Sequence, residues 1–164
     1  MVIKKVPSVN YYDKGVSDYL HFYESLHEMC PVPFDGIKEI LETLKNNGVH
    51  ISMVTGKGKR STDISLRHFE LIQFFEVIET GSPIGARKAE GIQTILNILK
   101  DIKSNEVIYV GDAPSDIIAS KKVRVPVVAA AWADTAEPDK LKELKPDELF
   151  YTIKDFRNWL ADKI

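Results

Sequence analysis

From residue 36 onward, segments of helical hydrophobic period alternate with short apolar runs, and this alternation constrains the fold more than any other feature of the chain. It is typical of β-α units arranged around a parallel sheet. The apolar runs that we interpret as strands lie at residues 50–54, 77–80, 107–110 and 125–130. The sequence therefore predicts an α/β fold with a parallel sheet and flanking helices.

The segments between these runs predict helices. The first of them ends at Asn46-Asn47-Gly48, where glycine suits the left-handed cap position. Further helices are predicted over residues 61–75, 88–100 and 114–122, and two more near the end of the chain. Residues 1–35 behave differently, because only one amphipathic helix ending near Cys30 is evident there. Its predicted apolar face comprises Val16, Tyr19, Leu20, Tyr23 and Leu26.

Composition limits the class of protein and its partners. The length of 164 residues suits one folded core, and 44% hydrophobic with 28% charged residues is ordinary for a globular domain. A formal net charge of -2 gives no field that attracts nucleic acid. Cys30 is the single cysteine, so no intrachain disulfide can form, and no apolar run has the length of a membrane span. We expect a cytoplasmic protein with no nucleic-acid or membrane partner.

Two aspartates follow the predicted strand at residues 107–110. Asp112 comes at the strand's end, and Asp116 falls in the first turn of the next helix. Both can face one site at the carboxyl edge of a parallel sheet, where oxygen ligands suit Mg²⁺. Ordinary helix capping explains the same pattern without a metal and is favoured when the motif is taken alone. The four histidines form no ligand set, and we interpret them as structural.

Thr55, Gly56 and Lys88 are candidates for binding an anion. Thr55 and Gly56 follow a predicted strand, where a hydroxyl and backbone amides can hold a phosphoryl oxygen. Lys88 begins a helix next to Arg87, and an anion nearby would offset the cost of a cation at a positive helix end. A simple strand-to-loop turn and an exposed surface lysine are the alternatives, and each is favoured when its residue is taken singly.

In combination these features resemble the haloacid dehalogenase (HAD) superfamily, in particular its phosphoglycolate-phosphatase-like branch. The similarity covers residues 32 to 160, and it depends on the order and spacing of several short motifs. The segments that carry it are residues 32–49 before the second motif, Met53-Val54-Thr55-Gly56 as that motif, Lys88 as the third-motif lysine, residues 107–116 with Gly-Asp-x-x-x-Asp as the fourth, and Ala131-Trp132-Ala133 after the last core strand, where Ala133 replaces the usual glycine.

The resemblance implies a HAD-like Rossmannoid core that catalyses phosphoryl transfer through an aspartyl-phosphate intermediate, with Mg²⁺ neutralising charge. It implies that Thr55 and Gly56 bind a phosphoryl oxygen and that Lys88 stabilises both nucleophile and phosphate. Asp112 and Asp116 would serve the metal. The implied partner is a small phosphorylated molecule.

The family's nucleophile lies in an Asp-x-Asp-x-Thr string on an apolar N-terminal strand, and no such string occurs here. The nearest candidate, residues 12–17, has only Asp13, and the residues before it include Lys4, Lys5 and Pro7, which a buried central strand should not contain. Residues 18–30 resemble instead the last helix of the family's helical cap. We therefore predict that residues 1–31 are the remnant of such a cap and that residues 32–164 form the core.

Loss of the nucleophile strand has a structural cost. In the family it lies between the strand that ends at Thr55 and the strand that ends at Val110. Without it, buried backbone groups on both edges are unpaired, each at a cost of about 1–3 kcal/mol. The N-terminal segment, a complementing chain, self-association or rearrangement would have to fill the gap. We expect a truncated product, or part of a longer protein.

Three functions remain open at this point. The first is a Mg²⁺-dependent phosphatase of small metabolites that is active only if the missing aspartate is supplied. The second is a non-catalytic HAD-like domain that binds magnesium or phosphate. The third, a nucleotide-binding domain that uses residues 55–61, is the least favoured, because neither a complete Gly-x-Gly-x-x-Gly nor a complete P-loop is present.

Overall fold

The computed structural model describes residues 9–27, 29, 32–82 and 87–164. Helices and short strands alternate along most of these residues, which confirms the predicted α/β class. In chain order the elements are α1 (Val9–His27), α2 (Ile37–Asn46), β1 (Ser52–Val54), α3 (Lys59–His68), β2 (Val77–Glu79), α4 (Lys88–Ile98), β3 (Tyr109–Gly111), α5 (Pro114–Lys122), β4 (Val127–Ala130), α6 (Pro138–Glu143), β5 (Glu148–Phe150) and α7 (Ile153–Ala161), with short 3-10 turns at Ile72–Phe74 and Ser104–Glu106.

The strands form two separate parallel sheets. Strand β1 pairs with β2, with Val54 opposite Glu79. Strands β3, β4 and β5 form the second sheet in that order, with Gly111 opposite Ala129. Within the described residues, β1 and β3 therefore each have only one neighbouring strand. The two sheets are divided between β1 and β3. These are the strands that the sequence analysis expected to lie on either side of the missing nucleophile strand.

Helices on both faces join the two sheets. On one face, α4 packs against Val54 of β1 and also against Ala119 of α5, the helix that covers β3 and β4. The close approach to β1 requires Gly91, because a Cβ there would lie 2.9 Å from the Val54 Cγ1 atom. On the other face, Leu41 of α2 belongs to the same hydrophobic cluster as Met53. Its neighbour Ile40 is buried against Val128 of β4.

Strand β3 is less buried than its apolar sequence predicts. It spans residues 109–111 rather than 107–110, and both Ile108 and Val110 are 41% exposed. The prediction of a fully buried strand is therefore wrong for these two side chains. All four residues of β4 are buried, because that strand has neighbours on both sides. Strand β3 has one neighbour in the described part of the chain, and its other flank is left uncovered.

The helix predicted over residues 61–75 ends earlier. Helix α3 stops at His68, and the chain turns at Glu70, which has a φ of +55°. A residue in this left-handed region ends a helix, so the remaining apolar residues form the 3-10 turn instead. Their packing is retained, because Leu71 and Phe74 are both buried.

Helix α1 packs on α3 through one face only. Tyr23 and His27 contact α3 residues, whereas Tyr19 and Leu26 of the predicted apolar face are 55% and 57% exposed. The division into residues 1–31 and 32–164 remains a prediction, and Cys30 lies outside the described residues. Among the helices described, none has the length and apolarity that crossing a membrane requires.

Candidate active site

The loops after β1 and β2 and the start of α4 enclose a cavity of about 250 Å³. Because the carboxyl ends of parallel strands meet at one edge of a sheet, this position is expected for a ligand site in an α/β fold. The cavity brings together three residues that the sequence selected as anion-binding candidates: Thr55, Gly56 and Lys88. Other polar or small residues of its lining are Thr80, Gly81, Ser82 and Arg87.

Backbone hydrogen bonds hold the two loops in contact. The Thr55 amide donates to the Glu79 carbonyl at 2.9 Å, and the Gly81 amide donates to the Lys57 carbonyl at 2.8 Å. Position 81 needs glycine, because a Cβ there would lie 2.1 Å from the Gly56 carbonyl oxygen. The Thr55 hydroxyl oxygen accepts the Lys57 amide at 3.2 Å. The hydroxyl proton is therefore available for an acceptor on a ligand.

Lys88 links the two sheets through an ion pair. Its Nζ lies 2.6 Å from the Oδ1 atom of Asp116, and the Asp116 side chain is only 4% exposed. Lys88 is the first residue of α4, where the amides of the helix end are positive, so the carboxylate offsets an unfavourable position for a cation. The start of α4 and the first turn of α5 thus meet at one charged contact.

Asp116 also caps its own helix. Its Oδ2 atom accepts the Ala113 amide at 3.0 Å, so the capping interpretation is confirmed for this residue. The carboxylate can fold back in this way only beside a glycine, because a Cβ at Gly111 would lie 2.4 Å from the Asp116 Cβ. The two oxygens of this carboxylate have different partners, because Oδ1 accepts from Lys88 and Oδ2 accepts from the capping amide.

Tyr109 is a site residue that the sequence reasoning missed. Its hydroxyl donates to the Asp116 Oδ1 atom at 2.8 Å. Burial, and then the charge and hydrogen bond of Asp116, raise the pKa of Tyr109 far above its ordinary value of 10.0. Tyr109 therefore remains a neutral donor over the physiological range. The signal available in the sequence was that Tyr109 is the one polar-tipped side chain in an apolar strand, two residues before Gly111.

Asp112 differs from Asp116 in being exposed. Among the described residues it has no hydrogen bond or ion pair, although its charge acts on the hydroxyl of Tyr109. The described part of the chain contains no group of three His, Cys, Asp or Glu side chains that could hold a metal ion. Mg²⁺ is nevertheless commonly held by one or two carboxylates, with waters and substrate phosphate as further ligands. The exposed Asp112 fits that mode of binding, whereas the oxygens of Asp116 already accept from Lys88, Tyr109 and the Ala113 amide.

A second polar cluster joins helix α1 to the loop after β1. The Lys57 Nζ donates to the Tyr23 hydroxyl at 2.7 Å, and that hydroxyl lies 2.9 Å from the Ser65 Oγ. The His27 Nε2 lies 3.0 Å from the same Oγ. Burial raises the pKa of Tyr23, but its hydrogen bonds with Lys57 and Ser65 and the lysine charge together outweigh that effect, so that the pKa is lowered. Lys57 thereby connects α1 to the backbone that shapes Thr55.

Comparison with known families concerns the chain as a whole. The sequence model described as haloacid dehalogenase-like hydrolase matches residues 2–130, which is most of the chain. The chain belongs to the haloacid dehalogenase-like hydrolase family. Hydrolases of this family generally use Mg²⁺.

Three similar proteins illustrate the relationship. A protein of Caldanaerobacter subterraneus subsp. tengcongensis, provisionally named as a pyrophosphatase PpaX, is 31% identical over 148 residues, which are 89% of this chain and 64% of that protein. A provisionally named phosphatase from Clostridium difficile is 27% identical with a TM-score of 0.71, over 77% of this chain and 59% of its own. A provisionally named β-phosphoglucomutase from Thermotoga maritima has a TM-score of 0.76 at 19% identity, over 98% and 73% of the two chains, which shows a shared fold.

This chain is shorter than these relatives. It spans slightly less than two thirds of the Caldanaerobacter protein and 59% of the Clostridium chain. The alignment with the Thermotoga structure nevertheless covers 98% of this chain. Each of these proteins therefore contains polypeptide that has no counterpart in the sequence described here.

Proposed function

We propose that this chain carries the phosphate-binding and magnesium-binding part of a phosphatase site, similar to that of a phosphoglycolate phosphatase, for small phosphorylated molecules. The observation that carries the proposal is the meeting of Thr55, Lys88 and Asp116 at the carboxyl ends of two parallel sheets. The membership of this chain in the haloacid dehalogenase-like hydrolase family supports the proposal. The nucleophilic carboxylate is not provided by the described residues.

In this proposal each residue has a separate task. The Thr55 hydroxyl and the amide of Gly56 bind a phosphoryl oxygen. Lys88, oriented by Asp116, neutralises the negative charge that gathers between phosphate and nucleophile. Asp112 and Asp116 would hold Mg²⁺, which supplies charge neutralisation to the phosphate when it is bound.

The one N-terminal candidate for the nucleophile is in the wrong setting. Asp13 lies inside helix α1 and is exposed, whereas the family's nucleophile lies at the end of a strand. It precedes Tyr23, the α1 residue bonded to Ser65, by ten positions, or about 15 Å at 1.5 Å per residue. This placement supports a carboxylate supplied from another polypeptide segment. Without that carboxylate the chain alone would bind phosphate but would not hydrolyse its esters.

Calorimetric titration with inorganic phosphate in the presence of Mg²⁺ tests the binding half of the proposal. Thr55→Val should weaken phosphate binding about tenfold, the effect of losing one hydrogen bond to a charged group. Thr135→Val is the matched control, because Thr135 is exposed and is not part of the cavity. Equal phosphate affinity in the two variants, or no saturable binding to the wild-type chain, would refute the proposal.

The alternative is a HAD-like domain that binds magnesium or phosphate and catalyses nothing. The absence of an Asp-x-Asp-x-Thr string favours it. The intact mass and the sequence of the natural protein distinguish the phosphatase from the non-catalytic binding domain. A natural protein that is longer and carries such a string on a strand supports the phosphatase, whereas a natural protein of this mass supports the binding domain. The proposed partners are a small phosphorylated molecule and a complementing chain, and neither nucleic acid nor a membrane is proposed.

A further inference from the structure

The side chain of Lys57 extends from the loop after β1 to helix α1. Its Nζ donates to the Tyr23 hydroxyl at 2.7 Å and lies 5.4 Å from the centre of the Tyr23 ring. Among the described residues Lys57 has no carboxylate partner, and the other contact of its Nζ is the Ser65 hydroxyl at 3.5 Å. Lys57 is also absent from the described residues that line the cavity. Its charged group is therefore directed to α1 and not to a ligand.

The backbone of Lys57 is bonded to both loops of the site. Its amide donates to the Thr55 hydroxyl oxygen at 3.2 Å, which orients that hydroxyl. Its carbonyl accepts the Gly81 amide at 2.8 Å, which joins the loop after β1 to the loop after β2. One residue therefore contacts α1 with its side chain and the two loops of the cavity with its backbone.

Tyr23 is held in turn where α1 packs on α3. An ammonium group can only donate, so the Tyr23 oxygen accepts from Lys57 and its own proton is left for the Ser65 Oγ, 2.9 Å away. Ser65 is only 7% exposed, and the His27 Nε2 lies 3.0 Å from the same Oγ. Polar networks that are satisfied in this way are rigid. The packing of α1 on α3 therefore sets the position of the Lys57 side chain.

We propose that Tyr23 is a positioning residue for the cavity: through Lys57 it holds the loop that carries Thr55 in the conformation that binds a phosphoryl group. Without this contact the long Lys57 side chain regains its rotamer freedom, and the two loops of the cavity separate more often. A loop that is ordered before the ligand arrives lowers the entropic cost of binding. The inference rests on the proposed function only for the identity of the ligand.

Calorimetric titration of the full chain with inorganic phosphate, in the presence of Mg²⁺, is the first test. Tyr23→Phe keeps the ring beside Lys57 but removes the hydroxyl, and it should weaken phosphate binding about fivefold, at the low end of coupling between separate sites. Tyr19→Phe is the matched control, because Tyr19 lies one turn earlier in α1, is 55% exposed and stacks on the Tyr23 ring. It should bind phosphate as the wild type does.

Hydrogen exchange separates positioning from a general loss of stability. The Gly81 amide, which bonds to the Lys57 carbonyl, should exchange about tenfold faster in Tyr23→Phe, because local opening of the two loops becomes easier. The Glu76 amide bonds to the Ile51 carbonyl at the other end of the same pair of strands. It should exchange at the wild-type rate.

Coupling between α1 and the cavity has to be reciprocal. If the contact with α1 strengthens phosphate binding, phosphate strengthens the packing of α1 on α3 by the same factor. Saturating phosphate should therefore slow exchange about fivefold at the amides of residues 23–27 in the wild type. It should not slow exchange there in Tyr23→Phe.

A double substitution tests whether Tyr23 acts through Lys57. Lys57→Met should weaken phosphate binding as much as Tyr23→Phe does, and the two changes together should cause no further loss. Lys59→Met is the control, because it removes the same charge two residues later from a lysine that pairs with Asp63 within α3. A larger loss in Lys57→Met than in Tyr23→Phe would show that Lys57 binds the ligand itself, and would overturn the inference. If Tyr23→Phe does not fold, Lys57→Met carries the same expectation for the Gly81 amide.

Other results would also overturn the inference. They are an unchanged phosphate affinity in Tyr23→Phe, an unchanged exchange rate at Gly81, equal acceleration at Gly81 and Glu76, and additive effects of the two substitutions. The proposed function fails separately, if the wild-type chain shows no saturable phosphate binding. In that case faster exchange at Gly81 alone in Tyr23→Phe upholds the positioning role and refutes only the phosphoryl ligand, whereas an unchanged rate refutes both.

Discussion

Asp116 connects more of the site than any other side chain. Its Oδ1 atom accepts from Lys88 and Tyr109, and its Oδ2 atom accepts from the Ala113 amide. A buried carboxylate with this many donors is stabilised in place and leaves few free lone pairs. The exposed carboxylate of Asp112 is therefore the group with the greater freedom to bind a cation.

Replacement of Asp112 tests that division of roles. Asp112→Asn should weaken Mg²⁺ binding about tenfold, because it removes the negative charge from the exposed ligand. It should leave the unfolding free energy almost unchanged, since Asp112 has no bonded partner among the described residues. Calorimetric titration with Mg²⁺ measures the first effect and denaturant unfolding the second. Asp101→Asn, at another exposed aspartate, is the control, and equal Mg²⁺ affinity in both variants would contradict the assignment.

Tyr109 should make stability sensitive to alkaline pH. Its folded pKa is raised, so its contribution is fully present below the unfolded pKa of 10.0 and is lost as pH rises above that value. Near pH 7, Tyr109→Phe should cost about 1 kcal/mol for the lost hydrogen bond to Asp116. Above pH 10 the difference should shrink, because the wild-type chain alone is penalised by ionisation of the unfolded tyrosine.

Denaturant unfolding from pH 7 to pH 11 measures this effect. Tyr151→Phe is the control, because Tyr151 is 57% exposed and has no resolved pKa shift. A constant difference between wild type and Tyr109→Phe across this range would show that the Tyr109 pKa is not raised by folding.

The sequence supplied candidate residues for the site but not their contacts. Thr55, Gly56 and Lys88 could be selected because each follows or begins an element at a recognisable motif. Tyr109 could not, because its role depends on Asp116 folding back over Gly111, a geometry that no local pattern encodes. The same applies to Lys57, whose partner Tyr23 lies 34 positions away along the chain.

At the scale of elements, α4 is positioned by a glycine. A Cβ at Gly91 would lie 2.9 Å from the Val54 Cγ1 atom and 3.2 Å from the Glu79 Cβ. Gly91→Ala should therefore destabilise the fold by about 1–2 kcal/mol, even though alanine favours helix formation. Thermal unfolding monitored by circular dichroism provides the measurement.

Gly15 is the matched control for this prediction. It also lies within a helix, α1, but a Cβ there would have no atom within 4 Å. Gly15→Ala should raise stability by about 0.5–1 kcal/mol from backbone entropy alone. Equal effects of the two substitutions would contradict close packing of α4 on β1.

Two buried serines provide a second test at this scale. The Ser52 hydroxyl of β1 has no partner among the described residues, whereas the Ser120 hydroxyl of α5 donates to the Val125 carbonyl at 2.8 Å. Ser52→Ala should stabilise the isolated chain by about 1 kcal/mol, because it removes an unsatisfied buried group. Ser120→Ala should destabilise it by a similar amount. Denaturant unfolding of both variants decides the question, and a loss of stability in Ser52→Ala would show that its hydroxyl is satisfied.

Helix and strand order could be predicted from periodicity, but strand burial could not. The strand at residues 107–110 has the composition of a strand with neighbours on both sides, yet Val110 is partly exposed because, among the described strands, only β4 lies beside it. The apolar composition of a strand indicates how much burial the strand is suited to. It does not report whether the neighbouring strand is present in the same chain.

At the scale of the whole molecule, one set of helices holds two sheets in a single fold. Helices α2 and α4 contact both sheets, and Lys88 joins their carboxyl ends through Asp116. The residues proposed to bind phosphate and a cation are therefore held together although no described strand lies between β1 and β3. In the proposed function, the carboxylate that would attack phosphorus comes from outside the described residues.

Hydrolysis of pyrophosphate and p-nitrophenyl phosphate in the presence of Mg²⁺ tests this account most directly. The purified chain alone should show no turnover above the buffer rate. Turnover should appear when an apolar strand peptide ending in aspartate is added. It should be absent when asparagine replaces that aspartate in the peptide, and absent when the peptide is added to the Thr55→Val variant. Hydrolysis by the chain alone that is lost in Thr55→Val would contradict the account, because it would mean that a nucleophile is already present.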